Sequence, residues 1–229
     1  MMDAPIRLVL FDVNETLSDM SPIRARFEDI GAPGHLAATW FAGVLRDGFA
    51  LTAAGAYADF RDVADAGLRG LLTGLPGWDG DASRAAGHIL DGFADLDVHP
   101  DVADGVRALH GAGLRLATLT NGSTAITERL LSRAGLTGCF TALLDVSAPR
   151  AWKPAAAAYR YALDTLAADP AETLLVAVHP WDIDGARRAG LQAAWLRRGT
   201  AAYPPVLTSP TRTAPDLREL ARELVPAAG

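Results

Sequence analysis

The sequence predicts an α/β fold: a doubly wound parallel sheet with a helical segment inserted after the first strand. Short, continuously apolar segments alternate with helical patterns along most of the chain, which is typical of parallel sheets covered on both faces. Between residues 18 and 97 this alternation stops and only helical periodicity remains. With 229 residues, 50% of them hydrophobic, the chain is long enough for one large domain or for one domain with an insert.

The predicted strands are short and apolar. The first runs from Ile6 to Phe11 and leads straight into Asp12. Four similar segments follow: Leu114–Leu119, Phe140–Val146, Thr173–Val178 and Gln192–Leu196. Helical patterns accompany them over Pro100–His110, Thr124–Ala134, Pro154–Ala167 and Ile183–Ala189. The proline-rich and threonine-rich tail from Thr200 to Thr213 predicts a loop, and Asp216–Leu224 predicts a closing helix.

The segment 18–97 predicts a separate helical unit. Helical periodicity covers Leu36–Phe49, Tyr57–Leu72 and Ala82–Phe93, with a turn signal over Gly74–Gly77. The chain is expected to return to the α/β unit near His99. The predicted division is therefore a core of residues 1–17 and 98–229 and a helical cap of residues 18–97.

Composition excludes several classes of protein. The 21 basic residues against 27 acidic ones give a net charge of −6, which argues against a nucleic-acid partner. No apolar run approaches the ~20 residues that a membrane span needs, and no secretory signal is recognised. A cytoplasmic protein with a small-molecule substrate and no membrane partner is therefore expected.

The basic residues comprise 20 arginines and one lysine, Lys153. Arginine cannot replace lysine where a compact ammonium, or one able to lose its proton, is needed. Lys153 is therefore a candidate functional residue, the alternative being its survival at a neutral site.

Polar side chains follow four of the predicted strands. Asp12–Thr16 follow the first strand, Thr120 and Asn121 the second, Lys153 the third and His179–Asp182 the fourth. In an open parallel sheet, ligands bind at the carboxyl ends of the strands, near the point where the strand order reverses. These side chains therefore predict a site at one edge of the sheet.

The same four segments carry a family resemblance. FDVNETL (11–17), LTNGS (119–123), WKP (152–154) and AVHPWDIDGA (177–186) resemble the four signature motifs of the haloacid dehalogenase superfamily. The helical insert lies where that superfamily has its cap. The resemblance covers essentially the whole chain and implies a Rossmann-like core with an inserted helical cap.

The resemblance also implies catalytic roles. Asp12 is the expected nucleophile, which attacks an electrophilic centre to form an aspartyl intermediate. Lys153 is expected to hold the Asp12 carboxylate, and Asp182 to pair with Lys153 or to position water, although Asp182 could instead cap its helix. Thr16 and Thr120 are expected to donate hydroxyl hydrogen bonds, or else to be ordinary turn or capping residues.

Within the superfamily, the chain resembles the type II 2-haloacid dehalogenase branch. Asn14 and Val178 stand where the phosphatase branch has an acid–base aspartate and a magnesium-binding aspartate. Trp181 and Tyr159 match the dehalogenase branch, which needs no metal or other cofactor. Homodimers are common in that branch, so a homodimer is implied by the resemblance.

Seven residues are candidates for substrate binding: Asn14, Trp40, Phe41, Phe60, Asn121, Tyr159 and Trp181. The aromatic ones are expected to form an apolar wall around a small substrate, or else to pack the cap against the core. Phe41 stands where the dehalogenases have their halide-binding arginine. His179 is an additional ionisable group that could act as a base or protonate a leaving group, or be a loop histidine at a strand end. The other histidines, at 35, 88, 99 and 110, are expected in the cap or on the surface.

The expected function is that of a metal-independent hydrolase of the (S)-2-haloacid dehalogenase type. Asp12 would form an ester with a small 2-substituted carboxylic acid, and water would then hydrolyse that ester. The alternatives are a hydrolase of another small carbon electrophile, such as azetidine-2-carboxylate, a phosphatase of the same superfamily, or a non-catalytic binding protein.

Overall fold

The computed structural model describes residues 4–225, and a six-stranded sheet runs through the middle of the molecule. The strands are β1 (Leu8–Phe11), β2 (Arg115–Thr120), β3 (Ala142–Asp145), β4 (Thr173–Ala177), β5 (Gln192–Leu196) and β6 (Arg212–Ala214). Their spatial order is β3-β2-β1-β4-β5-β6, and every neighbouring pair is parallel. The predicted α/β class and parallel sheet are therefore confirmed.

The central strand β1 determines where the site lies. Its four residues are fully buried because Leu8 and Leu10 point into one hydrophobic core while Val9 and Phe11 point into the core on the opposite face. The strand pairs with β2 on one side and β4 on the other. Successive strands extend away from β1 in both directions, so the crevice of the sheet opens at the carboxyl ends of β1 and β4.

Of the helices between β1 and β2, the first four form what we term the helical insert. They are α1 (Ile23–Asp29), α2 (Leu36–Ala53), α3 (Phe60–Thr73) and α4 (Ala82–Ala94). Backbone hydrogen bonds join the two chain segments that connect the insert to the sheet: Asp19 N–H donates to the Asp97 carbonyl, and His99 N–H donates to the Leu17 carbonyl. An antiparallel bridge between Ser18 and Val98 lies between these bonds.

Five further helices cover the sheet: α5 (Val102–Gly111), α6 (Thr124–Arg133), α7 (Ala156–Leu166), α8 (Pro180–Arg188) and α9 (Leu217–Leu224). Two short 3₁₀ turns occupy Thr137–Cys139 and Pro170–Glu172. None of the helices described between residues 4 and 225 has the length and apolar character required to cross a bilayer.

The element predictions are correct for five strands and most helices, and they miss three local features. Helix α1 was not predicted, and β6 lies at the end of the tail that was predicted as loop. Both elements are short, so their periodicity is weak. Helix α8 begins at Pro180 rather than Ile183 because the fixed φ of proline suits the first position of a helix.

Trp152 attaches the insert to the sheet. Its indole N–H donates to the Ala58 carbonyl at 3.0 Å, and its backbone N–H donates to the Thr52 hydroxyl at 3.0 Å. The indole lies directly against Gly48 of α2, where a Cβ atom would come within 2.2 Å of the ring. Phe60 of α3 stacks on the same indole, with 6.0 Å between ring centroids. A glycine is therefore required at position 48 for close packing.

We predict that Gly48→Ala lowers the free energy of unfolding by about 1–3 kcal/mol, because the added methyl group clashes with Trp152. Gly43→Ala in the same helix is the matched control, since no atom lies within 4 Å of its added Cβ. That control is expected to stabilise the protein by up to about 1 kcal/mol through helix propensity. Urea unfolding of both variants measures the difference, and equal effects at the two positions would contradict this account of the Trp152 contact.

Candidate active site

Asp12 is the first residue after β1, and its position is determined by the neighbouring strand. Its backbone N–H donates to the Val176 carbonyl of β4 at 3.0 Å. The Thr16 hydroxyl donates to Asp12 Oδ2 at 2.6 Å and accepts from the Val178 N–H at 3.1 Å. Thr16 thus ties the loop after β1 to the end of β4 and orients one oxygen of the Asp12 carboxylate.

The Lys153 side chain is fully buried and lies between two carboxylates. Its ammonium donates to Asp12 Oδ1 at 2.9 Å and to Asp182 Oδ2 at 2.6 Å. The Asn121 side chain holds the backbone of Lys153 through two hydrogen bonds: its Oδ1 accepts from the Lys153 N–H at 2.8 Å, and its Nδ2 donates to the Lys153 carbonyl at 3.1 Å. Asn121 therefore positions the lysine from the loop after β2.

Asp182 lies in the first turn of α8 and has no exposed surface. The Tyr159 hydroxyl of α7 donates to Asp182 Oδ1 at 2.6 Å, so both carboxylate oxygens have a partner. Burial and the neighbouring Asp12 charge raise the pKa of Asp182, although Lys153 and the Tyr159 hydrogen bond oppose this rise. Burial and the Asp182 charge also raise the pKa of the Tyr159 hydroxyl, which keeps it a donor.

The charges around Asp12 favour its ionised form. Burial by itself would raise the pKa of Asp12, but the Lys153 ammonium and hydrogen bonds from His179 and Thr16 hold that pKa well below its usual range. Burial would likewise lower the pKa of Lys153, whereas the Asp12 and Asp182 charges raise it. Asp12 is thus an ionised carboxylate at neutral pH, paired with an ammonium that keeps its proton.

His179 contacts the same oxygen of Asp12 as Thr16 does, whereas Lys153 contacts the other one. Its Nδ1 lies 3.1 Å from Asp12 Oδ2, and its Nε2 lies 2.8 Å from Glu15 Oε2. Burial lowers the pKa of His179, but the hydrogen bonds and charges of Asp12 and Glu15 outweigh burial and raise that pKa to about 9. The ring stacks on Trp181 with 4.9 Å between centroids. Although His179 occupies the N-cap position of α8, its side chain caps no helix N–H.

Two residues near His179 were not predicted from the sequence. Glu15 has φ = 60°, a left-handed conformation that is uncommon for a side-chain-bearing residue. His99 was expected in the cap or on the surface, and that expectation is wrong. It is half-buried beside the site, with Nε2 3.0 Å from the Glu15 carbonyl. The sequence feature that could have identified Glu15 and His99 is the acidic side chain of Glu15, which lies three residues after Asp12 in the loop that follows β1.

A cavity of about 420 Å³ opens beside His179, between the insert and the sheet. Apolar side chains, Ile23 and Phe41 among them, line one part of it. Its charged and polar lining residues are Glu15, Asp19, Ser21, Arg24, His99, His179 and Arg198. Asp12 itself does not line the cavity, because its side chain is only 5% exposed and His179 contacts it from the cavity side.

Several predicted substrate-binding residues lie elsewhere. Trp40 is buried inside the insert, where its indole N–H donates to the Ala64 carbonyl at 3.0 Å. Phe60 is buried between Trp152 and Phe93. These two side chains pack the insert and do not line the cavity, which corrects the prediction that they contact substrate.

Other predicted contacts are also indirect. Tyr159 is fully buried behind Asp182, and Asn121 holds the Lys153 backbone, so neither side chain faces the cavity. Asn14 faces a separate cavity of about 10 Å³ beside α4 and α6. Thr120 accepts a hydrogen bond from the Gly122 N–H at 2.9 Å, which is a turn contact. Of the predicted substrate-binding residues, Phe41 lines the cavity and Trp181 stacks on His179.

The described residues contain no group of three or more histidine, cysteine, aspartate or glutamate side chains arranged to hold a metal ion. The two carboxylates nearest the centre of the site, Asp12 and Asp182, both accept from Lys153. The positive charge next to these two carboxylates is therefore that of the Lys153 ammonium.

Comparison with known proteins gives consistent matches. Residues 6–190 match the family model of haloacid dehalogenase-like hydrolases. The (S)-2-haloacid dehalogenase of Pseudomonas sp. (strain YL) is 29% identical over 226 residues, which cover 98% of this chain and 97% of that protein. Haloacetate dehalogenase H-2 of Moraxella sp. (strain B) is 32% identical over 131 residues, and this match spans 57% of the chain and 58% of that protein.

Among solved structures, the chain is similar to the L-2-haloacid dehalogenase of Xanthobacter autotrophicus with chloropropionic acid covalently bound. The TM-score is 0.85 at 27% sequence identity, and the match covers 97% of this chain and 100% of that one.

We predict that Lys153→Arg lowers the free energy of unfolding by about 1–3 kcal/mol, because a planar guanidinium does not fit a fully buried site shaped for an ammonium. Lys153→Met is expected to cost more, about 3–5 kcal/mol, since it leaves two buried carboxylates uncompensated. Arg188→Lys, in an exposed ion pair with Asp184, is the control and should change stability by less than about 0.5 kcal/mol. Chemical denaturation measures all three, and a Lys153→Arg variant as stable as the wild type would refute this account.

Proposed function

Because the chain belongs to the haloacid dehalogenase-like hydrolases, we propose that it hydrolyses a small 2-substituted carboxylic acid through an ester on Asp12. Membership of this family confirms the resemblance carried by the four motifs. The observation that carries the proposal is the Asp12 carboxylate, which is kept ionised by Lys153 and contacts His179, a lining residue of the cavity of about 420 Å³. A buried, ionised carboxylate at the end of a central strand is suited to covalent catalysis.

The proposed reaction has two steps. In the first, an Asp12 carboxylate oxygen attacks carbon 2 of the substrate, and the leaving group departs with the electron pair of the broken bond. In the second, water attacks the carbonyl carbon of the resulting ester, and the product leaves as a 2-hydroxy acid. Throughout, Lys153 stays between Asp12 and Asp182, where its charge stabilises the carboxylate in the free enzyme.

The relatives support the nature of the substrate. The similar structure from Xanthobacter autotrophicus is described with chloropropionic acid covalently bound, and the similar protein from Pseudomonas sp. is an (S)-2-haloacid dehalogenase. The size of the cavity is compatible with a small acid, since ligand pockets generally range from about 300 to 1,000 Å³. We therefore propose an (S)-2-haloacid as the first substrate to be tested.

One lining residue of the cavity, Phe41, departs from the pattern of the dehalogenase branch that the chain resembles. Phe41, which replaces the halide-binding arginine of that branch, is a neutral residue and is 4% exposed. Arg24 lines the same cavity and forms no ion pair with any of the residues described between 4 and 225. We propose that Arg24 attracts the substrate carboxylate, while the uncharged Phe41 provides no guanidinium to receive the departing halide.

A second candidate is hydrolysis of a carbon electrophile with a nitrogen leaving group, such as the strained ring of azetidine-2-carboxylate. The neutral Phe41 favours it, because an amine leaving group needs a proton more than it needs a site for an anion. The two candidates share the Asp12 ester and differ in the group that departs.

We predict that the wild type releases halide from L-2-chloropropionate and that EDTA leaves the rate unchanged, because Asn14 and Val178 replace the acids of the metal-dependent branch. Asp12→Asn should release no halide above the uncatalysed rate, since its amide cannot form the ester. Azetidine-2-carboxylate and p-nitrophenyl phosphate, assayed in parallel, test the other reactions. Hydrolysis of p-nitrophenyl phosphate that strictly requires Mg²⁺, without halide release, would disprove the proposal.

We also predict that Phe41→Arg raises the rate of halide release by about 10-fold or more, because a guanidinium stabilises a departing anion and a phenyl ring does not. Phe41→Leu distinguishes the effect of charge from that of size and should show no gain. Melting temperatures of both variants establish whether the buried arginine is tolerated. A folded Phe41→Arg variant whose halide release is equal to or slower than wild type would show that the missing arginine is not limiting.

A further inference from the structure

Glu15 and His179 form a hydrogen-bonded pair beside the nucleophile, and neither side chain has a role in the two-step reaction proposed above. The Glu15 carboxylate lies 2.8 Å from His179 Nε2, while His179 Nδ1 lies 3.1 Å from the nucleophile Asp12. The imidazole is buried, whereas the Glu15 side chain is 44% exposed. The histidine therefore connects the buried nucleophile to a carboxylate at the rim of the cavity.

We propose that Glu15 positions His179 as the base that activates water for hydrolysis of the Asp12 ester. This inference rests on the proposed function, because it assigns a base to the second of the two steps. His179 is the catalytic residue in this proposal, since its Nδ1 lies 3.1 Å from the Asp12 carboxylate on which the ester forms and takes the proton of the attacking water. Glu15 is a positioning residue that acts through the ring.

The hydrogen bond to Glu15 determines which ring nitrogen becomes the base. A carboxylate accepts only, so a neutral His179 keeps its proton on Nε2, facing Glu15. The unprotonated nitrogen is then Nδ1, which lies beside the Asp12 carboxylate. A carboxylate that fixes the tautomer of a histidine in this way is the arrangement of the Ser-His-Asp triad, with a water molecule in place of the serine hydroxyl.

Formation of the ester prepares His179 for this role. In the free enzyme, the ring lies between two carboxylates, which raise its pKa and keep it protonated. Formation of the ester removes the negative charge of Asp12, which is one of the two carboxylates that raise the pKa of His179. His179 then releases that proton to solvent and becomes a neutral base. Other charged or titratable groups around the site are Lys153, Asp182, Asp19, Arg24, His99 and Arg198.

The step balances without any further reagent. The water oxygen bonds to the Asp12 carbonyl carbon while one water proton moves to Nδ1. The tetrahedral intermediate then breaks its bond to the substrate oxygen, which takes that proton from Nδ1 and leaves as the hydroxyl of the product. The remaining acid proton of Asp12 moves to Nδ1, which restores the carboxylate–imidazolium pair.

The contacts of His179 argue against two other roles, which are binding the departing halide and protonating the leaving group. Both ring nitrogens are occupied, one by Asp12 and one by Glu15, so the ring has no free N–H with which to receive a halide. A leaving group departs from the side of the carbon opposite the attacking oxygen, because displacement requires aligned orbitals. A ring in contact with Asp12 is therefore better placed to activate water at the ester than to protonate the leaving group.

The backbone of Glu15 supports a positioning role. Its φ of 60° lies in the left-handed region, which glycine adopts freely and other residues adopt only at an energetic cost. The His99 ring nitrogen contacts the Glu15 carbonyl at 3.0 Å and thus holds this conformation from the segment that follows the insert. The turn thereby directs the Glu15 carboxylate towards His179.

Rapid-quench kinetics with L-2-chloropropionate test the proposal. In His179→Asn and Glu15→Gln, we expect a burst of about one halide per active site at a rate within threefold of wild type. Steady-state turnover should then fall by roughly 100-fold or more in His179→Asn, the magnitude typical of a lost general base, and by at least 10-fold in Glu15→Gln. Mass spectrometry should detect the accumulated ester on the peptide that contains Asp12.

The pH profile and a matched variant distinguish positioning from a structural effect. Because Glu15 raises the pKa of His179, Glu15→Gln should shift the rise of ester hydrolysis with pH to lower pH. Glu172→Gln, in a surface ion pair with Arg7, should change neither the burst nor the turnover. Loss of the burst in parallel with turnover, or normal turnover without accumulated ester, would overturn the Glu15–His179 assignment. A wild type that releases no halide and forms no ester would instead overturn the proposed function.

Discussion

The buried ammonium of Lys153 is the interaction on which the rest of the site depends. It lies between Asp12 and Asp182, and all three side chains are almost completely removed from solvent. Burying charges is costly, and a buried ion group is tolerated only when its geometry and remaining hydrogen bonds are well satisfied. Thr16, Tyr159 and His179 complete these bonds. This requirement for a compact, fully partnered cation gives a physical reason for the single lysine in a chain with 20 arginines.

The topology of the sheet brings these partners together. Asp12 follows β1, Asn121 follows β2, and His179 and Asp182 follow β4, so strands that are adjacent in space deliver side chains distant in sequence. The WKP segment adds Lys153 to the site, and its neighbour Trp152 holds the insert through Gly48 and Ala58. The same short segment therefore supplies the central cation and attaches the helices that enclose the cavity.

Much of this site could be predicted because strand ends in a parallel sheet converge. Strand-end convergence predicts that Asp12, Lys153 and Asp182 lie close together, and the observed distances agree with the pairing that the family resemblance implies. Trp40 and Phe60 were misplaced because the spacing of aromatic residues does not show which helix face meets the cavity. Glu15 was missed because its importance depends on a left-handed turn and a contact across 164 positions, neither of which has a sequence periodicity.

The central claim is that an oxygen of Asp12 bonds covalently to the substrate. A single turnover in ¹⁸O water, with enzyme in excess over L-2-chloropropionate, tests this claim most directly. The account predicts that the first 2-hydroxy acid formed carries ordinary oxygen, taken from Asp12, and that ¹⁸O appears in the peptide containing Asp12. A first product that carries ¹⁸O, with no label on that peptide, would mean that water attacks the substrate directly and would contradict the account.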